Sequence, residues 1–120
     1  MRDFRKYRVW QEAVVLANKI YSITDCFPKQ EMYSLSNQIQ RAAVSVASNI
    51  AEGASRTSPV EFAHFMEIAI GSAFEVETQL VISLERNYIS QEQYSEIISM
   101  LQNEEKLLNT FIQRLKEKGQ

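Results

Sequence analysis

The stretch Ser58-Pro59-Val60-Glu61 contains the clearest helix start in the sequence. Ser58 suits an N-cap, Pro59 suits the first helical position, and Glu61 completes the spacing of a capping box. Apolar residues then recur at spacings of three and four, as on a helix with one buried face: Phe62, Phe65, Met66, Ala69, Ala73, Val76, Leu80 and Leu84. This pattern predicts a helix over residues 59–87.

The same periodicity occurs three more times and predicts an all-α chain. The predicted helices cover residues 7–25, 29–54 and 91–118, the last one starting at the weaker box formed by Ser90 and Gln93. Pro28 is expected in a first turn, and Met32 is expected on the apolar stripe of the second helix. Because short connections favour antiparallel neighbours, residues 1–120 are expected to form a single domain, an up-down-up-down four-helix bundle.

The composition argues against most catalytic and metal sites. The chain has 120 residues, one Cys and one His, so a disulfide framework and a Cys-cluster zinc site are excluded. Glu61 and His64 have the spacing of a di-iron half-site, but such sites need two motifs of this kind. Gly-rich phosphate loops and nucleophile elbows are absent from the sequence. We therefore predict no catalytic residue, no metal, no cofactor and no small-molecule substrate, and we do not expect an enzyme.

The sequence also indicates where the protein works. Its N-terminus is charged and does not resemble a signal peptide. Its apolar runs are far shorter than the roughly 20 residues that span a bilayer, and a single thiol is compatible with a reducing compartment. The expected location is the cytoplasm, without a membrane partner.

The second and third predicted helices carry polar and small residues in an unusual pattern. In the second helix, Arg41, Ser45, Ser48 and Glu52 follow one line, and small residues around them would let another helix approach closely. In the third helix, a mid-helix Gly usually indicates close packing or function. We predict a subunit or helix contact network that has seven members: Arg41, Ser45, Asn49, Glu52, Gly71, Ser72 and Glu75.

Within this network, Arg41 could pair with Glu52, Glu67 or Glu75. Two other interpretations of the same residues stay open, a solvated polar face and a ligand or catalytic site. The sequence does not decide whether the line on the second helix faces the core, a neighbouring subunit or a channel.

The N-terminal ten residues differ in charge from the rest of the chain. Their side chains sum to +3 and the remainder to −5. Aromatic residues alternate with the basic ones, a composition typical of an RNA-contacting arm, and the candidate contacts are Arg2, Arg5, Lys6 and Arg8. The alternatives are a solvated lead-in with Trp10 in the core and an arm that docks on a neighbouring subunit.

Several motifs resemble the bacterial four-helix-bundle family named after proteins encoded in intervening sequences of 23S rRNA genes. The most specific are Arg41-Ala42-Ala43 and Asn49-Ile50-Ala51-Glu52-Gly53, and the resemblance covers nearly the whole chain. It implies a left-handed antiparallel bundle that assembles into a homopentameric ring, with no known activity. Related accessory proteins of diversity-generating retroelements form similar pentamers that bind a reverse transcriptase and nucleic acid. Those proteins are basic, whereas this chain has a net charge of −2.

Two functional hypotheses follow from the sequence. The leading one is a non-enzymatic homo-oligomeric scaffold or adaptor whose main partner is itself, with five copies the expected number. The alternative is a module that binds RNA or a nucleoprotein through the basic, aromatic N-terminal arm.

Overall fold

Four long helices form the protein in the computed structural model, which describes residues 2–119. They are α1 (Arg8–Thr24), α2 (Leu35–Ala54), α3 (Pro59–Glu85) and α4 (Gln91–Lys118), with short 3-10 helices at Phe4–Lys6 and Lys29–Glu31. The all-α class predicted from the periodicity is confirmed.

The helix starts follow the predicted caps. The Ser58 Oγ accepts a hydrogen bond from the Glu61 N–H at 3.1 Å, and Pro59 occupies the first turn of α3. Ser90 and Gln93 exchange both bonds of a capping box, at 3.1 and 2.9 Å. These bonds satisfy N–H groups that have no partner within the helix.

The predicted start of the second helix at residue 29 is wrong, because α2 begins at Leu35. Lys29–Glu31 is a 3-10 helix, and Ser34 has φ −125° and ψ −106°, outside the helical region. Met32, expected on the apolar stripe, is 54% exposed. A helix gains most of its stability from packing an apolar face, and this segment has no such face to pack.

The segment before α2 is held by a polar contact instead. The hydroxyl of Tyr88 donates a hydrogen bond to the Glu31 Oε2 at 2.8 Å, and the Arg86 Nε donates to the same hydroxyl oxygen at 3.1 Å. Phe27 packs beside Tyr88, with ring centroids 5.4 Å apart. The connection between α1 and α2 is thereby fixed to the connection between α3 and α4.

One continuous apolar core runs through the bundle, which measures 47 × 23 × 20 Å. α1 packs on α2 and α4, and α3 packs on the same two helices, so α1 and α3 lie diagonally opposed. At one end, Tyr7, Phe62 and Phe111 form an aromatic cluster with centroids 5.1–6.2 Å apart. Over residues 2–119, no helix combines the length and apolar character needed to cross a bilayer.

Candidate functional site

Three members of the predicted contact network meet between α2 and α3. The Oγ atoms of Ser45 and Ser72 lie 2.9 Å apart. The Asn49 Nδ2 donates to the carbonyl oxygen of Ser45 at 2.8 Å and to its Oγ at 2.9 Å. All three residues are partly buried, so the structure brings them together as a small polar contact between two helices.

The other four members lie outside that contact. Arg41 is exposed on α2, and Glu52 is bonded to the Arg56 Nη2 at 3.3 Å. Glu75 accepts a weak bond from the Gln79 Nε2 at 3.4 Å. Gly71 is exposed.

None of the three ion pairs considered for Arg41 forms within residues 2–119. Glu52 pairs with Arg56, Glu67 pairs with Lys116 at 3.6 Å, and among residues 2–119 Arg41 has no ion-pair partner. The physical reason is proximity. Arg56 lies one turn from Glu52 on the same helix, and the end of α4 brings Lys116 to Glu67.

On the side that α2 and α4 leave uncovered, α3 exposes large apolar side chains among the polar residues His64, Glu67, Glu75, Thr78 and Glu85. We call this side the α3 outer face. Five large apolar side chains on it are between 38% and 60% exposed: Val60, Ile68, Phe74, Val81 and Ile82. Gly71 lies in the middle of this face, and a Cβ added there would meet no atom within 4 Å. Contacts within residues 2–119 therefore do not explain why a Gly stands at this position.

A second apolar surface lies on the opposite side of the bundle, between α1 and α4. A cavity of about 240 Å³ opens there. It is lined by Glu12, Val15, Met100 and Asn103, and Val15 is 55% exposed.

The N-terminal arm is folded against the bundle. The Arg2 Nη1 donates to the carbonyl oxygen of Arg56, and the guanidinium lies 5.1 Å from the centre of the Phe62 ring. Arg5 pairs with Asp3 at 3.2 Å, and Arg8 pairs with Glu12 at 3.0 Å.

The remaining arm residues lie around the first 3-10 helix. Lys6 ends this helix and is exposed. Trp10 is half-buried, with its ring 5.1 Å from that of Phe4. The segment is therefore an ordered lead-in to α1 whose basic side chains lie on the surface of the bundle.

A buried acid on α4 is not among the residues predicted from the sequence. Glu104 is 1% exposed, and among the described residues neither of its carboxyl oxygens has a hydrogen-bond partner. Burial raises the pKa of this carboxyl to about 8, and the charge of Glu12 contributes. The spacing contained the signal, because Glu104 lies three residues after Leu101 and four before Leu108, both in the core.

Glu12 is the hydrogen-bonded member of this pair of acids. Its Oε1 accepts from the Arg8 Nε at 3.0 Å, and its Oε2 accepts from the Asn103 Nδ2 at 2.9 Å. Among the described residues Glu104 has no such bond, and its burial keeps the carboxyl protonated at neutral pH, with a pKa of about 8.

A second pair of acids joins α3 and α4. Burial, together with the hydrogen bond and charge of Glu77, raises the pKa of the Glu105 carboxyl to about 7. Two acids with raised pKa values, Glu104 and Glu105, therefore line contacts of α4 with its neighbours.

The residue types associated with metal sites and thiol chemistry lie apart. His64 is exposed beside Phe65, and Cys26 is an exposed free thiol in the connection after α1. Within the part of the chain that the structure describes, no three His, Cys, Asp or Glu side chains are grouped as metal ligands would be.

Comparisons with known proteins place these features in context. A family profile described as 23S rRNA-intervening sequence protein matches residues 5–110. A crystal structure of a protein of unknown function from the S23 ribosomal protein family of Bacteroides thetaiotaomicron is similar, with 28% sequence identity and a TM-score of 0.80. The similarity covers 88% of this chain and 95% of that one. No curated protein matches the sequence significantly.

Proposed function

The chain belongs to the 23S rRNA-intervening sequence protein family, and from this premise we propose that it acts as a non-enzymatic homo-oligomeric scaffold or adaptor. The proposed subunit is a left-handed, antiparallel four-helix bundle, and the proposed assembly is a ring of five copies in the cytoplasm. The observation that carries the proposal is the α3 outer face, with its five exposed apolar side chains.

The energetics of this face favour a contact with another molecule. Burying a large apolar side chain contributes about 1.5–3 kcal/mol when the burial is complete. Phe74 and Ile82 are 53% and 41% exposed, so about half of that gain is still available at each. A helix that is apolar on most sides is usually covered on most sides, whereas among residues 2–119 α2 and α4 are the only helices that pack on α3.

Gly71 supports a helix as the covering group. A mid-helix Gly destabilises a helix by about 1 kcal/mol relative to Ala. Because a Cβ at Gly71 would meet no atom within 4 Å, no contact within the single chain requires a Gly there. A residue without a side chain lets the backbone of another helix approach closely. Flanking apolar side chains such as Ile68 and Phe74 would then pack on either side of that approach.

The cavity between α1 and α4 supports a second copy as the occupant. It is lined in part by Val15 and Met100 and lies on the side of the bundle opposite α3. A contact between two different surfaces of the same chain is heterologous, and a series of such contacts closes into a ring or extends as a filament. In a closed ring, a neighbouring copy covers the α3 outer face of every copy.

The proposed helix directions rest on contacts at the helix ends. Gly53, near the end of α2, packs on Phe62 and Phe65, near the start of α3. Tyr7, before α1, packs on Phe111, near the end of α4. Both contacts are those expected when consecutive helices run in opposite directions.

A charge placed on the α3 outer face tests the proposal. We expect wild-type protein to elute as an oligomer in size-exclusion chromatography with light scattering, and Phe74→Glu to elute as a monomer with unchanged helical circular dichroism. Tyr33→Glu is the matched control, because Tyr33 is 89% exposed and belongs to the connection between α1 and α2 instead of the α3 outer face. If Phe74→Glu assembles as the wild type does, the α3 outer face is not the contact.

A further inference from the structure

The fold gathers most of the basic side chains at one end of the bundle. Three segments meet there: residues 2–8, residues 55–61 and residues 111–119. Arg2 bonds to the carbonyl oxygen of Arg56, and the rings of Tyr7 and Phe111 lie 5.1 Å apart. A Cβ added to Gly119 would lie 2.9 Å from the Val60 side chain, so the end of α4 reaches the start of α3. We call the surface of these three segments the basic end.

The charge of the basic end is opposite to that of the rest of the chain. Its three segments hold eight basic and three acidic side chains, a sum of +5. Three acids of adjoining segments, Glu12, Glu52 and Glu67, pair with cations of the basic end and reduce its charge to +2. The remaining residues hold five basic and nine acidic side chains, a sum of −4. The net charge of −2 therefore conceals a charge that is unevenly distributed along the 47 Å long axis of the bundle.

Two concave surfaces at the basic end present cations without an acid among their lining residues. One, of about 340 Å³, lies between the start of α1 and the end of α4 and includes Lys6, Arg8 and Arg114. The other, of about 510 Å³, lies at the turn between α2 and α3 and includes Arg2, Arg56 and the hydroxyl residue Thr57.

Several of these cations are available to a partner. Lys6 and Arg114 have no ion-pair partner among residues 2–119. Although Arg56 is bonded to Glu52, its Nε is buried and has no acceptor within the described chain. Arg2 and Arg56 line the same concave surface, and phosphate oxygens accept bidentate bonds from Arg.

We propose that the basic end binds the phosphate backbone of single-stranded RNA. The composite surface provides positive charge, guanidinium donors and hydroxyl groups, which are the groups that most often contact nucleic-acid phosphates. Arg56 and Arg114 take part together with the N-terminal residues, so the RNA-binding surface extends beyond the arm. The binding is a property of one copy of the chain and does not depend on assembly.

Concavity favours RNA over an anionic membrane. A phosphodiester chain can enter a depression of a few hundred Å³, whereas the headgroups of a bilayer form a broad surface that meets protruding side chains first. Acid-rich surfaces elsewhere on the bundle would in addition orient a polyanion toward this end.

Fluorescence anisotropy with a labelled oligouridylate tests the proposal. The RNA has about 20 nucleotides, which is longer than typical single-strand binding sites, and the buffer contains about 50 mM KCl. For wild-type protein we expect a dissociation constant on the order of 10⁻⁶–10⁻⁵ M, with affinity falling steeply as salt is raised.

A pair of matched double variants locates the binding surface. Lys6→Gln with Arg114→Gln removes two charges from the basic end, and Lys29→Gln with Lys106→Gln removes two exposed charges elsewhere. We expect the first variant to bind about tenfold more weakly or worse, with its salt slope reduced by about 1.4 for two lost phosphate contacts. We expect the second to stay within about twofold of the wild type.

Three results would overturn the proposal. The first is no binding of wild-type protein to RNA at concentrations up to about 10⁻⁴ M, the weak limit of nonspecific binding. The second is an equal loss in both double variants, which would mean that only net charge matters. The third is binding to vesicles of phosphatidylglycerol without binding to RNA, which would assign the basic end to lipid. Melting curves of both double variants check that the fold is intact.

Discussion

The Oγ atoms of Ser45 and Ser72 lie 2.9 Å apart and join the middle of α2 to the middle of α3. Asn49 adds two bonds from its Nδ2 to Ser45. The contact is only partly buried, so its bonds contribute modestly to stability. Its position fixes how α2 and α3 are aligned beside the α3 outer face.

Removing one hydroxyl of this contact should destabilise the fold. We expect Ser72→Ala to lower the free energy of unfolding by about 0.5–1.5 kcal/mol relative to Ser99→Ala, since both changes raise helix propensity but only one removes a bond between helices. Ser99 is an exposed residue of α4. Urea unfolding followed by circular dichroism gives both values. Equal effects of the two substitutions would mean that the Ser45–Ser72 bond does not contribute to stability.

The two helical glycines should respond in opposite directions to substitution by Ala. A Cβ at Gly53 would lie 2.8 Å from the Phe65 Cβ and 2.9 Å from the Phe62 Cδ1, so α2 and α3 would have to separate. We expect Gly53→Ala to destabilise the protein by about 1–3 kcal/mol. We expect Gly71→Ala to stabilise it by about 0.5–1 kcal/mol, because the new methyl group meets open space.

This comparison is best made in the Phe74→Glu variant, where assembly should not contribute to stability. Urea unfolding of the two Gly variants in that background measures the subunit alone. A stabilising Gly53→Ala would show that the close packing of α2 on Phe62 and Phe65 is not required.

The buried carboxyl of Glu104 should make the protein less stable as pH rises. The folded form binds this proton more tightly than the unfolded chain does, since the pKa rises from 4.5 to about 8 on folding. The free energy of unfolding should therefore fall between about pH 4.5 and pH 8, by at most about 4–5 kcal/mol. Glu105, with a pKa of about 7, adds to the fall over the lower part of this range.

Glu104→Gln should remove most of this pH dependence, because the amide cannot ionise. Melting temperatures at pH 5 and pH 8 give the comparison, and Glu85→Gln serves as the control because Glu85 is exposed at the end of α3. We expect the difference in melting temperature between pH 5 and pH 8 to become smaller in Glu104→Gln and to stay unchanged in Glu85→Gln. A wild-type protein that is equally stable at both pH values would contradict the claim that Glu104 is buried in the core without a hydrogen-bond partner.

Most of the fold could be predicted from local signals. Apolar spacing and the caps at Ser58 and Ser90 act within one or two helical turns, so they are visible in the sequence. The start of α2 was not predictable in this way, because Met32 lies three residues before Leu35 and so extends the apolar spacing of α2 backwards. The conformation of residues 29–34 depends on Pro28 and on the distant contact between Glu31 and Tyr88.

The candidate surfaces could be predicted only in part. Ser45 and Ser72 lie on small-residue faces that the spacing placed toward another helix, and they do meet. The basic end could not be found, because it exists only when Arg56 and Arg114 fold onto the N-terminal segment. Glu104 is not predicted to be buried, because acidic residues usually lie on the surface. Only its position in the helical register, between Leu101 and Leu108, indicates the core.

The central claim is that copies of this chain assemble through the α3 outer face into a ring. Native mass spectrometry of the wild-type protein at about 10 µM, a concentration well above the dissociation constant of a stable assembly, tests it most directly. We expect one dominant species of about 70 kDa, five chains of 13.9 kDa, and its loss in Phe74→Glu. A spectrum that contains only the 13.9 kDa monomer would contradict the claim.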